Sequence, residues 1–361
     1  FNILTNRGGV GYSLFQKKFK LNLGTDAGYS SFHQTNKFTD SVTTRNFLNW
    51  YPHANLSYQF TQQRRISLSY NGSTQQPDIN QIQPVLTNAD PLNITIGNPL
   101  LKPAFENNMY LSFNDYKVIK ERGIFIWINS GFTSNDIVNK SYVDSFGRTI
   151  NQYINLNGNR NFNGDFNYNF KLKKLNLFIN NSANINSSRY VNIVNNLFNV
   201  TKSNSYTYRL GFYKDKEKKY SIGLDPSVTY TTSVSSIQPD VKTNYWSFDA
   251  DPNVHVYFGH KGKYQIQTDC DFNFKQKTSV FDNNNNVIFW NAWIGRTFTK
   301  KDALLVKIIG HDLLDQNIGF NRTVNSNFIS ENTYSTIKRY FLLSVVWNFN
   351  KAGIKAPGQN D

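Results

Sequence analysis

With one cysteine and one methionine in 361 residues, the chain has no disulfide framework and no cysteine-built metal site. A formal charge of +15 would suit a nucleic-acid partner, but the Lys and Arg residues fall on turns at strand spacing rather than on one basic face, so none is expected. The mean hydropathy of −0.53, with no run near the roughly 18 apolar residues of a membrane helix, excludes a helical span; a barrel stays open, because its strands average lipid-facing and lumen-facing residues. An aromatic content of 16%, from 29 Phe, 21 Tyr and 6 Trp, is that of strands and membrane interfaces.

Along the chain, strand-like runs are separated by two alternating kinds of punctuation. The short kind is basic: Gln16-Lys-Lys-Phe-Lys20, Thr61-Gln-Gln-Arg-Arg65, Lys117-Val-Ile-Lys-Glu-Arg122, Lys171-Leu-Lys-Lys174, Lys214-Asp-Lys-Glu-Lys-Lys219, Gly259-His-Lys-Gly-Lys263 and Thr299-Lys-Lys-Asp302. These turns hold nineteen of the 39 Lys and Arg residues, so half the positive charge sits at one set of strand ends. Solvated periplasmic turns, with some lysines meeting lipid phosphates, account for it. The long kind is rich in Asn, Ser, Thr, Asp and Pro and covers roughly 32–45, 77–103, 137–148, 188–202, 235–243, 280–287 and 310–332. Short connections at one rim and long ones at the other are the outer-membrane barrel pattern.

Between these marks the runs alternate. Ile66, Leu68 and Tyr70 share a face, as do Met109, Leu111 and Phe113, then Phe166, Tyr168 and Phe170, then Tyr206, Tyr208, Leu210 and Phe212. Later, Trp246, Phe248, Val254, Val256 and Phe258 oppose Ser247, Asp249, Asp251, Asn253 and His255, while Tyr264, Ile266, Phe272 and Phe274 oppose Gln265, Gln267, Asp269, Asp271 and Asn273. Asp249, Asp251, Asp269 and Asp271 therefore face the lumen, as an acidic patch or in pairs with neighbouring cations. Two runs, Ile124–Ile128 and Val287–Trp290, are apolar on both faces, which suits strands covered from inside. The last run, Tyr340–Asn350, puts Phe341, Leu343, Val345, Trp347 and Phe349 on one face, expected to meet lipid.

The pattern predicts an all-β, antiparallel, up-and-down transmembrane β-barrel in which seven turns and seven loops separate about 15 strands. Bacterial single-chain barrels have even strand numbers. Residues 1–350 are therefore expected to be the C-terminal part of a larger barrel, with strands missing upstream or an upstream part supplied separately, and 351–361 a C-terminal tail.

The segment Gln76–Pro103, with Gly97-Asn-Pro-Leu-Leu-Lys-Pro103 followed by Glu106, resembles TonB-dependent outer-membrane receptors, most closely the Bacteroidetes-type outer-membrane β-barrel family. His311-Asp-Leu-Leu-Asp-Gln-Asn317 and Arg339-Tyr-Phe-Leu-Leu-Ser344 share that resemblance. It implies a barrel of about 22 strands, a plug domain and upstream strands missing from this chain, TonB acting through the missing plug, and energised uptake of a scarce nutrient across the bacterial outer membrane. A family barrel ends at its final aromatic; the tail after Phe349 departs from that.

No cofactor, metal site or catalytic residue is read from the sequence. His33, His53, His255, His260 and His311 lack ligand spacing, and no Gly-x-Ser-x-Gly elbow or Walker loop occurs. The 77–103 loop is the candidate ligand or gating element, with Asp78, Asn80, Gln83, Asn93 and Asn98 as its candidate contacts, since loops on rigid scaffolds carry function; the competing reading is a rigid cover over the barrel mouth. Besides a transporter, the sequence allows a structural or docking barrel in a surface or secretion complex, with a surface lipoprotein as partner, and a soluble β-rich binding protein.

Overall fold

The computed structural model of the protein describes residues 2–36, 41–83, 86–277, 286–298, 303–324 and 329–347. They fall into two compact units: Phe1–Tyr168 with Ser182–Thr207 and Tyr230–Asn244, and Asn169–Asn181 with Tyr208–Thr229 and Tyr245–Asp361. The turn 299–302, most of the loop 280–287, Phe349 and the tail 351–361 lie outside the described residues.

The first unit opens as an antiparallel meander of β1 (Asn2–Phe15), β2 (Phe19–Asn36), β3 (Ser41–Thr61) and β4 (Arg64–Gln75). A single helical turn, α1 (Ile79–Ile82), and the hairpin of β5 (Leu86–Asp90) and β6 (Asn93–Ile96) interrupt it. Then β7 (Ala104–Lys117) returns beside β4, and β8 (Arg122–Ser134) beside β7. A second hairpin, β9 (Asp136–Val143) and β10 (Thr149–Leu156), lays β10 parallel to β6. The chain continues as β11 (Asn159–Leu172), β12 (Leu177–Val194) and β13 (Leu197–Lys216).

Prolines then break two runs. Asp225-Pro226 separates β14 (Tyr220–Leu224) from β15 (Ser227–Ser235), and Asp251-Pro252 separates β16 (Gln238–Ala250) from β17 (Asn253–Phe258), because proline has no N–H for the ladder. In the second unit β14 pairs β17, and β17 is followed by β18 (Tyr264–Lys275), β19 (Val287–Phe298) and β20 (Leu304–His311), each antiparallel to the one before. A separate hairpin, β21 (Gly319–Val324) and β22 (Ile329–Tyr334), precedes β23 (Tyr340–Trp347), which pairs β20. Among the described residues, merging each proline-broken pair and setting aside the three excursion hairpins leaves the 15 runs expected from the sequence.

Three expected long loops are instead strand extensions in their described parts: of 32–45, residues 32–36 end β2 and 41–45 begin β3, with Asn36 the register partner of Ser41. Residues 188–202 form the ends of β12 and β13, joined by Asn195 and Asn196 alone, both in the left-handed region (φ 48° and 64°). Two consecutive left-handed residues match a hairpin's own twist, and asparagine tolerates that conformation better than other side-chain-bearing residues. Residues 235–243 likewise reduce to a two-residue connection between Ser235 and Gln238.

Register shows what the alternation achieves. In the first unit Leu14, Leu21, Leu56, Leu68, Leu111 and Ile128 form one lateral row across β1, β2, β3, β4, β7 and β8. One residue along, on the opposite face, the row is Ser13, Asn22, Asn55, Ser69, Tyr110 and Asn129. In the second unit Tyr220, Val256, Ile266, Ile294, Ile308 and Leu343 form the apolar row, and Tyr257, Gln265, Gly295, Lys307 and Ser344 a row of the other face. No side chain of either apolar row is buried. A water-soluble sheet covers its apolar face; here that face is open.

The closing strand is more apolar than its alternation suggests. Phe341, Leu343, Val345 and Trp347 are exposed on one face, and Tyr340, Leu342 and Val346 are exposed on the other.

Candidate binding surface at the long-loop end

The 77–103 segment is folded around its own side chains. After Pro77, the amide of Asp78 donates to Gln81 Oε1 at 2.9 Å, closing the first turn of α1 from its N-terminal side. Ile82, Ile94 and Leu101 are buried, as are Ala104, Val138 and Ile150, and Ile94 and Ile150 are register partners on the parallel strands β6 and β10. Burying each branched side chain contributes about 1.5–3 kcal/mol. Gly97 passes so close to the chain that a Cβ there would lie 1.9 Å from the carbonyl oxygen of Gln83. Only glycine fits.

Asn98 clamps the segment. Its amide donates to the Gln81 carbonyl (2.6 Å), its Oδ1 accepts the Leu100 amide (2.9 Å), and its Nδ2 donates to the Tyr153 carbonyl on β10 (2.8 Å). Asn155 repeats the device: its Oδ1 accepts the Lys102 amide (2.8 Å), and its Nδ2 donates to the carbonyls of Lys102 (2.9 Å) and Asn135 (2.7 Å). Sequence reading missed Asn155, whose role depends on partners 20 and 53 residues away.

Of the candidate contacts, Asp78, Asn80 and Asn93 are exposed. Asp78 and Asn80 sit at the start of α1, and Asn93 begins β6 opposite Asp90. Gln83 and Asn98 are half-buried, and Asn98 is spent on the clamp. The tips also expose apolar side chains that a search for polar contacts passes over: Leu92, Val143, Leu100 at 83% and Phe146 at 80%.

Neighbouring excursions are tied together. Asn195 at the β12–β13 turn donates its amide to the Ser141 carbonyl (2.8 Å) and accepts the Val143 amide on Oδ1 (3.1 Å). The fully buried Asn199 donates to Asn192 Oδ1 (2.9 Å) and accepts the Ser235 hydroxyl (2.7 Å). At the β9–β10 turn Asp144 accepts the amides of Phe146 and Arg148, both at 2.9 Å, and pairs with the Arg148 guanidinium at 2.7 Å. These bonds, led by the Arg148 amide, hold its carboxyl below the ordinary carboxylate value.

The open apolar rows and the polar rows behind them point one way, and the sequence agrees: the outer membrane protein beta-barrel family model matches residues 8–197, more than half of the chain. The chain belongs to the outer membrane protein beta-barrel family. It is a protein of the bacterial outer membrane. Solved structures similar to this barrel protein include P. aeruginosa FpvA in a complex with a heterologous pyoverdine and iron, at 10% identity and a TM-score of 0.27, covering 95% of this chain and 58% of that one. The FpvAI–pyocin S2 complex gives 9% identity and 0.27, covering 95% and 57%. The chain thus spans less than two thirds of either. No curated protein matches it.

In the second unit of this barrel protein, the face opposite the apolar row carries the expected carboxylates. Asp269 accepts Asn291 Nδ2 at 2.9 Å, and Asp271 lies beside Asp251 and Asp269. The arginine nearby, Arg209, pairs with Asp225 at 2.9 Å rather than with these four. On the same face His255 packs against Tyr257 and Trp293, and Lys307 Nζ lies 4.7 Å over the Trp293 ring. Among the described residues no group of His, Cys, Asp and Glu is arranged to hold a metal ion. At the short-turn end a cavity of about 700 Å³ is lined by Lys218, Lys219, Tyr257, Lys261 and Lys263.

Proposed function

We propose that this chain is the barrel portion of a TonB-dependent receptor that takes up a scarce nutrient across the outer membrane. The observation that carries the reading is the 77–103 excursion. It is built on Ile82, Ile94 and Leu101, clamped by Asn98, and presents Asp78, Asn80 and Asn93 beside exposed Leu92 and Leu100. A preorganised surface with polar and apolar groups side by side suits capture of a ligand at the long-loop end. On this reading the apolar rows, including Phe341, Leu343, Val345 and Trp347, meet lipid. The polar rows line the path that a plug, and TonB pulling on it, would open, with the plug and further strands lying upstream.

The test is uptake. A strain lacking the protein should lose growth on one class of iron chelate, cobalamin, glycan or peptide, and a strain lacking TonB should show the same loss. Growth that depends on the protein but not on TonB would overturn the energised reading. The exposed Leu100 and Phe146 favour one alternative, a docking barrel for a surface lipoprotein; it predicts loss of a surface complex without loss of uptake.

A further inference from the structure

On the exposed apolar face shared by β14, β17, β18, β19, β20 and β23, Arg296 is the one charged side chain among the described residues. It stands in the lateral row Phe258, Tyr264, Arg296, Val306 and Val345. The next row towards the short-turn end is Phe298, Leu304 and Trp347. The guanidinium carbon lies 5.0 Å from the centroids of both the Tyr264 and Phe298 rings. Aromatic faces attract a cation, but they offer no oxygen to its five N–H donors.

The first unit handles a comparable arginine differently. Arg64 lies on the same face as Ile66 and Leu68, at the short-turn end of β4, and its Nη2 is 2.7 Å from Asp115 Oδ2 on the neighbouring strand. That cation carries its own carboxylate. Arg296 has no such partner among the described residues, although it is exposed on a face whose other described side chains are uncharged.

We propose that Arg296 binds the phosphate of a phospholipid in the leaflet at the short-turn rim, with Tyr264 and Phe298 flanking the head group; this rests on the assignment of the apolar face to lipid. Arg296 stands two residues from the end of β19, about 7 Å at the usual strand rise. That is within reach of the interface for an arginine stem. A planar guanidinium stacked on aromatic rings binds phosphate in bidentate fashion with the donors left over. Short turns of outer-membrane barrels are periplasmic, so the lipid is a diacyl phospholipid of the inner leaflet.

The experiment uses the full-length protein in nanodiscs containing equal amounts of phosphatidylglycerol and a galactosyl-diacylglycerol of the same acyl chains, with retained lipids counted by native mass spectrometry. The wild type should retain phosphatidylglycerol over the galactolipid, and Arg296→Gln should lower that retention about tenfold, as loss of one charge-assisted pair does. Arg296→Lys, which keeps the charge without the fork, should fall between and decides the matter if Arg296→Gln does not fold. Unchanged retention in both variants overturns the proposal, as does displacement by millimolar inorganic phosphate, which would mark a free-anion site. Quenching of Trp347 by brominated acyl chains, read as the difference from Trp347→Phe, tests the lipid face separately. No quenching removes that assignment and the proposal with it; quenching with unchanged lipid retention removes the proposal alone.

Discussion

Asn98 ties the 77–103 excursion to β10 with one side chain, accepting the Leu100 amide and donating to the Tyr153 carbonyl. Its place in a Gly-Asn-Pro motif marked it, but as a ligand contact. The partners come from a strand that no local pattern announces. Asn98→Ala should therefore loosen the segment by about 1–3 kcal/mol, the cost of two lost side-chain hydrogen bonds. Hydrogen exchange should rise across 79–101 while the amides of β4 and β7 keep their protection; equal exchange in both would overturn the clamp. Asp144 gives a second residue-scale prediction. Its carboxyl is held below the ordinary value of 3.8, first by the Arg148 amide and then by the Arg148 side chain and the Phe146 amide. A depressed carboxylate stabilises the folded turn above its unfolded value and loses that contribution as pH falls through the folded value. An NMR titration of the Arg148 amide should give a midpoint below 3.8. A midpoint at or above that value would contradict the assignment.

Among the elements, period-two alternation was legible nearly throughout, because each side of a strand keeps one neighbour chemistry from turn to turn. The basic short connections were legible too, since charge marks them, whereas the uncharged two-residue turns at 195–196 and 236–237 were not. What failed was the reading of 32–45, 188–202 and 235–243 as loops: polar sequence looks like loop whether or not it pairs, and the Asn195-Asn196 turn lacks the glycine that signals a tight hairpin. The β5–β6 and β9–β10 hairpins were missed because they are held by parallel pairing of β6 with β10, a contact set by the fold and not by the segment. The lateral rows themselves needed register, and with register they make a sharp prediction. Ile294 and Gln265 occupy adjacent strands on opposite faces. Ile294→Lys should destabilise the protein in lipid vesicles by about 2–4 kcal/mol, the range for lysine near a bilayer midplane, whereas Gln265→Lys should cost under about 1 kcal/mol. Denaturant unfolding in vesicles measures both, and equal costs would refute the two-faced sheet.

At the scale of the whole molecule, the question is whether the long-loop end is built for function or is only a cover. The geometry allows it to be removed cleanly. Gln75 and Ala104 are register partners at the ends of β4 and β7, so residues 76–103 form an excursion whose two feet already stand side by side. An Asn-Gly pair in its place would close a two-residue hairpin with the twist that the flanking strands require. Shortening the connection also lowers its closure entropy, so the sheet has no reason to fail. The β9–β10 hairpin, in contrast, loses the parallel partner of β10 and the Asn98 and Lys102 bonds at Tyr153 and Asn155. The truncated protein should therefore insert in the outer membrane at normal level and keep its heat-modifiable mobility on gels. Its β9–β10 hairpin should become open to protease, and uptake of the nutrient identified by the deletion strain should be abolished. If uptake survives at the wild-type rate, the 77–103 segment is a lid without a part in capture, and the binding surface must be sought on the polar face of the sheet.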